Sequence, residues 1–271
     1  SGNGVVAGGW FQCGIAATID VRGGAGIRAG TTMALSFTGV AGVQLTVLGN
    51  VTGGSASSAR GIEHTGAGNL VVTGDVTGGT GGNSHGVSNS SGIVTITGNV
   101  TGGSGGGSRG IFNNSGIVSI TGNLTGGTAG SAHGISNVSG TTTITGNVTG
   151  ETNSGTYGVD NTSGTVTITG NVFNGAGYGV YNVTGTVTIY GSAKPNPANP
   201  LGNHVLFHNS TTSGYIAVDA IEPDPTTLIF PSIRGKVYIR DTNTGYIRMY
   251  DTQGQLKTFI TSDNVNNPPA E

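Results

Sequence analysis

Aliphatic residues in the middle of this chain stand at alternate positions in short runs, and the runs recur at a fixed distance. Val94/Ile96, Val118/Ile120, Val166/Ile168 and Val187/Ile189 are each split by one residue. Thr95/Thr97, Ser119/Thr121, Thr167/Thr169 and Thr188/Tyr190 fill the other positions. A period of two puts successive side chains on opposite sides of an extended backbone, so each run predicts a strand with its aliphatics inward. Two further columns carry one aliphatic per repeat: Val51, Val76, Val100, Leu124, Val148, Val172, and Ile62, Val87, Ile111, Ile135, Val159, Val180. Each repeat therefore predicts three short strands, as in NVTG, RGIFN and IVSIT between Gly98 and Thr121.

Glycines mark the period. Gly49, Gly74, Gly98, Gly122, Gly146, Gly170 and Gly191 are 25, 24, 24, 24, 24 and 21 residues apart, and Gly61, Gly86, Gly110, Gly134, Gly158 and Gly179 keep step with them. A unit too small to bury its own apolar face must stack on its neighbours, at about the 4.8 Å spacing of a sheet. The fold class is all-β: a parallel β-helix solenoid of about six 24-residue coils over residues 45–191, right-handed by the usual hand of parallel crossovers. Residues 1–44 break the repeat and read as an N-terminal cap. Residues 192–271 read as a C-terminal β module and tail: prolines in KPNPANPLGNHVLFHN end regular stacking, and DTNTG and DTQG divide the following segment into a three-stranded β-meander.

Two columns of asparagine flank the turns. One is Asn50, Asp75, Asn99, Asn123, Asn147, Asn171; the other is Asn89, Asn113 or Asn114, Asn137, Asn161, Asn182. Stacked side-chain amides can satisfy one another and the turn backbone. Length variation falls in one glycine-rich corner, GGSGGGS in one copy and GETNSGT in another, which predicts a loop suited to close backbone packing.

Composition narrows the function classes. The chain has 271 residues with 54 glycines, 8% charged residues and a formal net charge of −2, too neutral to expect nucleic acid or an anionic membrane as partner. Glycine does not recur at every third position, which excludes collagen, and no apolar run is long enough for membrane insertion as a helix. The chain begins at Ser1 rather than Met, as expected of a processed product or a segment of a longer protein. Cys13 is alone, so no intrachain disulfide forms, and its apolar neighbours predict a small buried hydrophobe.

Candidate chemistry is sparse. Glycoside hydrolysis needs two carboxyl groups about 5 to 9.5 Å apart. Glu63 and Asp160 share a column but stand four coils, about 19 Å, apart. Asp75 lies among the asparagines and Glu151 in the loop, so no catalytic residue and no cofactor is expected within one chain. The residue before the second glycine forms the most decorated column: Arg60, His85, Arg109, His133, Tyr157, Tyr178. It reads either as a binding stripe for anions or sugars, or as solvated side chains stacked at a corner. No metal is expected, because its histidines are two coils apart with Arg109 between them; His204 and His208 lack acids or cysteine nearby. The outer rows Thr95/Thr97, Ser119/Thr121, Thr143/Thr145 and Thr167/Thr169, broken by Val71 and Tyr190, raise an ice-binding alternative. In the meander, Tyr238, Arg240, Tyr246, Arg248 and Tyr250 form a candidate docking or recognition face, with Tyr246, Arg248 and Tyr250 on one side.

The Gly-Asn-Val-Thr coils followed by a small β module with D-T-x-x-G turns resemble the parallel β-helix stalks of phage tail fibres and tailspikes and of secreted bacterial adhesins, over about residues 45–260. The resemblance implies an extracellular or virion-surface location. The thin core and the glycine-rich corner predict a homo-oligomer, a trimer first, or packing along other copies; other fibre or virion proteins and cell-surface glycans are the further partners expected. The expectation is a non-enzymatic structural or adhesive solenoid. Because related tailspikes cleave polysaccharide, a tailspike-like enzyme with a site shared between subunits is the alternative.

Overall fold

A computed structural model describes residues 6–7, 11–22, 26–151, 155–174, 177–194, 207–209, 215–221, 236–240, 247–250 and 256–260. It is an all-β parallel solenoid of about seven coils. Each coil has a long strand, a short strand and a middle strand, in chain order. One coil runs through Ile93–Thr97, Val100–Thr101 and Ile111–Asn113, and the next through Ile117–Thr121, Leu124–Thr125 and Ile135–Asn137. Equivalent strands pair in parallel without slippage: Val94 with Val118, Val100 with Leu124, Ile111 with Ile135.

Four aliphatic columns fill the interior, two from the long strand and one from each of the others. Val94, Ile96, Val100 and Ile111 are all fully buried, as are their counterparts Val166, Ile168, Val172 and Val180 further along. The second glycine of each repeat is required by this packing. A Cβ on Gly110 would stand 2.7 Å from the Gly134 carbonyl and 2.8 Å from a Leu124 methyl. The first glycine turns the corner between long and short strands: Gly122 has φ of +152°, and a Cβ there would stand 2.1 Å from the Gly98 carbonyl oxygen.

Both asparagine columns are hydrogen-bonded ladders. In the inner one Asn89 Nδ2 donates to Asn113 Oδ1 (3.1 Å), Asn113 to Asn137 (3.0 Å), Asn137 to Asn161 (2.9 Å) and Asn161 to Asn182 (2.8 Å). Asn113, not Asn114, is the inward member. Each of these Nδ2 groups from Asn113 onward also donates to the glycine carbonyl three residues on, as Asn137 does to Gly140 at 2.9 Å. In the first coil of this ladder His64 takes the asparagine position: its ring bonds Asn89 Oδ1 at 2.8 Å and stacks on Phe37, with centroids 5.1 Å apart. The outer ladder runs from side chain to backbone. Asn99 Oδ1 accepts from the Asn123 amide (3.0 Å) and Asn123 Oδ1 from the Asn147 amide (3.0 Å). One coil carries a polar inward residue, Thr142, whose hydroxyl donates to Asn137 Oδ1 at 3.1 Å, so the buried hydroxyl is satisfied.

The glycine-rich corner does pack closely, and its neighbour is the adjacent coil of the same chain. The Thr80 amide bonds the Gly54 carbonyl, and the Ser104 amide bonds Gly79. Cβ atoms on Gly79 and Gly103 would stand 1.9 and 2.0 Å from carbonyls of the preceding coil. Ser58, Asn83 and Ser131 take φ of 54 to 59° at equivalent positions, with Gly107 and Gly155 at the others.

The ladders reach beyond residues 45–191. Ala17–Asp20 pairs in parallel with Gln44–Leu48, Ile27–Ala29 with the short strand Val51–Thr52, and Leu35–Phe37 with the middle strand Ile62–His64, so the described strands of residues 1–44 extend the coils. At the other end Phe207–Asn209 joins the middle-strand ladder and Tyr215–Ile221 the long-strand ladder. Lys236–Arg240, Ile247–Tyr250 and Leu256–Ile260 then form the antiparallel meander. Cys13 is buried, as expected. Among the described residues, no helix is long and apolar enough to cross a membrane.

Candidate functional site

Six Asp, Glu, Lys or Arg residues lie between residues 45 and 190: Arg60, Glu63, Asp75, Arg109, Glu151 and Asp160. Four of them meet on one face, which is built from two parallel columns. The first is Arg60, His85, Arg109, His133, Tyr157 and Tyr178, just before the second glycine. The second is the central residue of each middle strand, where Glu63, Ser88, Phe112, Ser136, Asp160 and Tyr181 stand in parallel register. A residue and its i+3 neighbour thus lie side by side. Arg60 pairs with Glu63, while the Arg109 guanidinium lies 5.1 Å from the Phe112 ring centroid.

The histidines of the column are buried, while Arg60, Arg109, Tyr157 and Tyr178 are half-buried. His85 and His133 are 3% and 7% exposed. The Nδ1 of His85 accepts the Arg109 amide at 3.1 Å, and that of His133 accepts the Tyr157 amide at 3.0 Å. Each ring proton is therefore held on Nε2. Burial, with the positive charge of Arg109 behind it, pushes both histidines down, His85 to about 3 and His133 to about 4. Both are neutral donors near pH 7.

Toward the later coils the face becomes aromatic. The rings of His133 and Tyr157 stack with centroids 4.7 Å apart, and Tyr157 lies 5.4 Å from Tyr178 and 5.3 Å from Tyr181. Asp160 stands beside this cluster, accepting a 3.5 Å hydrogen bond from Ser136 and lying 3.9 Å from His133 Nε2. Burial pushes its carboxyl up, with Arg109 opposing. Burial also raises the Tyr157 phenol.

The column of Glu63 and Asp160 was legible as such in the sequence. That Phe112, Asp160 and Tyr181 join the first column was not, although the i+3 offset on adjoining strands is the signal that could have found it. Among the described residues, no group of three or more His, Cys, Asp or Glu is arranged to hold a metal. His204 lies outside the described residues, and His208 is in register with Tyr181.

The outer surface of the long strands differs in kind. Thr95, Ser119, Thr143, Thr167 and Thr188 are in register down its centre, with Thr73, Thr97, Thr121 and Thr145 beside them, Val71 at one end and the exposed Tyr190 at the other. No outward position from Gln44 to Tyr190 on these strands is charged. In the meander, the register sets Tyr238 opposite Met249 and Arg240 opposite Ile247, whereas Arg248 and Tyr250 stand opposite Ile239 and Val237. The four described candidates of this module therefore fall in two rows, Tyr238 with Arg240 and Arg248 with Tyr250. Tyr246 lies outside the described residues.

No protein-family description matches the chain, and neither a curated protein nor a solved structure similar to it was found.

Proposed function

We infer that the chain is a non-enzymatic rod: a structural and adhesive segment of a virion fibre or cell-surface appendage, acting outside the cell as a homo-oligomer, a trimer first. The observation that carries this reading is that the coil-to-coil hydrogen bonds, two asparagine ladders and the glycine corner all serve one purpose, stacking like on like along an axis. An architecture of this kind confers length and stiffness, and each added coil extends the same surface. Cell-surface glycans and other fibre proteins are the partners such a rod would meet.

A polysaccharide-degrading enzyme is the second reading, and Asp160 favours it. Its carboxyl is raised by burial beside a cluster of tyrosines, the condition of a general acid. Hydrolysis would need a second carboxylate from a neighbouring subunit. The test is incubation of purified protein with bacterial surface polysaccharides, followed by end-group and size analysis. The rod reading expects an elongated particle by small-angle scattering and no products. Stoichiometric cleavage lost in Asp160→Asn would replace it with the enzyme.

A further inference from the structure

Repetition supplies an internal control for Arg109. In the coil that holds Arg60, the i+3 position is Glu63 and the two form an ion pair. In the coil that holds Arg109, the register-equivalent position is Phe112. Arg109 therefore lies over an aromatic ring, with no carboxylate within ion-pair distance among the described residues. Its Nε is buried without a hydrogen-bond partner, as is that of Arg60, so what separates the two arginines is the carboxylate beside Arg60. Asp160 acts on Arg109 only through space, from two coils away and without an ion pair. Burying part of a cation with so remote a counter-charge is costly, and the cost falls when an anion binds. The neighbours on both sides are organised for the same purpose. His85, one coil before, and His133, one coil after, each have Nδ1 occupied by a backbone amide, which leaves Nε2–H as the donor. Three N–H-bearing groups thus stand on successive coils, about 4.8 Å apart.

The geometry points to a binding site for the acidic group of a polysaccharide, a uronate carboxylate or a sulfate ester, at Arg109 between His85 and His133. This rests on the reading of the chain as an adhesive rod. A sugar polymer fits better than a nucleic acid. The face has one unpaired arginine, whereas a phosphate backbone needs a cation for each of several phosphates. Asp160 stands two coils, about 9.6 Å, beyond Arg109 and 3.9 Å from His133 Nε2, so it confines the acidic group to the Arg109 and His85 side, would repel a second phosphate and would accept hydrogen bonds from neutral sugar hydroxyls. The Tyr157 phenol adds a further partner for hydroxyls on the same coil. The tyrosine rings turn their faces to one another, so they supply hydroxyl groups and edges rather than a stacking platform.

The test is calorimetric titration of the whole chain with oligogalacturonate, sulfated dextran, unmodified dextran and a single-stranded oligothymidylate. One or both acidic glycans bind, with affinity falling as salt rises, and the neutral dextran and the oligonucleotide do not. Loss of a charge-assisted hydrogen bond in Arg109→Gln weakens binding about tenfold or more. Phe112→Glu does the same while keeping Arg109, because it restores the carboxylate that Arg60 has. Arg22→Gln, an equal change of charge remote from the coils' face, leaves binding unaltered. Bound acid also raises the histidine pKa values, read as shifted imidazole titrations by NMR. Unchanged affinity in both Arg109→Gln and Phe112→Glu overturns the site, and equal binding of oligothymidylate or neutral dextran overturns its assignment to acidic glycans. Neither result depends on particle shape or cleavage, so failure of the site and failure of the rod reading are separate outcomes.

Discussion

Asn137→Ala and Asn123→Ala remove the same side chain from the two ladders within one coil, and the difference between them measures what burial adds to a hydrogen bond. Asn137 is fully buried. Its Nδ2 donates to Asn161 Oδ1 and Gly140 O, and its Oδ1 accepts from Asn113 and from the Thr142 hydroxyl. Not all of these partners are orphaned by truncation. Gly140 O keeps the Thr165 amide, and Asn113 Nδ2 keeps Gly116 O at 3.0 Å. Asn161 Oδ1 and the Thr142 hydroxyl proton lose their partners in a dry interior, at about 1–3 kcal/mol each, so Asn137→Ala costs about 4 kcal/mol. Asn123 is exposed, and its Oδ1 serves one amide, that of Asn147, which water can reach once the side chain is gone. Its loss costs about 1 kcal/mol or less. Urea denaturation followed by far-UV circular dichroism reads the difference, and amide exchange shows whether the loss centres on the coils around residue 137, as nearest-neighbour coupling requires. Equal costs for the two variants would refute the claim that the inner ladder holds the coils together.

Gly122→Ala introduces a Cβ 2.1 Å from the Gly98 carbonyl at a φ of +152° and is expected to destabilise by several kcal/mol, whereas Gly106→Ala, with nothing within 4 Å, stays within about 0.5 kcal/mol of wild type in the same assay. His85 and His133 are pushed down to about 3 and about 4, below an unfolded value near 6.5, so the unfolded chain binds more protons and stability falls as pH drops from about 6.5 toward 4. Replacing both by Gln flattens that slope in denaturation curves taken across pH, and an unchanged slope would show that the rings are not buried neutral. The uncharged long-strand face, which includes the exposed Ile93 and Ile117, is expected to pack against other copies. Sedimentation should show a homo-oligomer that Ile117→Lys dissociates, and a monomer at all working concentrations would sink this. The same face is expected to give no thermal hysteresis, because Val71, Ser119 and Tyr190 interrupt its threonine array; clear hysteresis in wild type would reverse that expectation.

Periodicity by itself determined the coil. Alternation assigns inward and outward positions on every strand, and the recurrence of 24 or 25 residues states which residues stack, so the aliphatic columns, both asparagine ladders and the shared column of Glu63 and Asp160 were legible before any coordinates. The repeat places a residue within a coil but is silent on what its neighbours leave unsatisfied. Choosing Asn113 over Asn114 needed the turn geometry, and the inward Thr142 made sense only once Asn137 was seen to accept its proton. Residues 6–44 carry no repeat signature, and their strands join the ladders because parallel pairing uses backbone groups common to every sequence. The glycine corner read as a loop suited to close backbone packing, and the structure supplies one such backbone, that of the next coil, since at the spacing of a sheet only a residue without Cβ fits between successive turns. The same holds for the decorated face. Six residues in a column say little about function until the tertiary structure shows that Arg60 has a carboxylate beside it, that Arg109 has an aromatic ring instead, and that a buried histidine with Nδ1 held by a backbone amide stands on either side of Arg109.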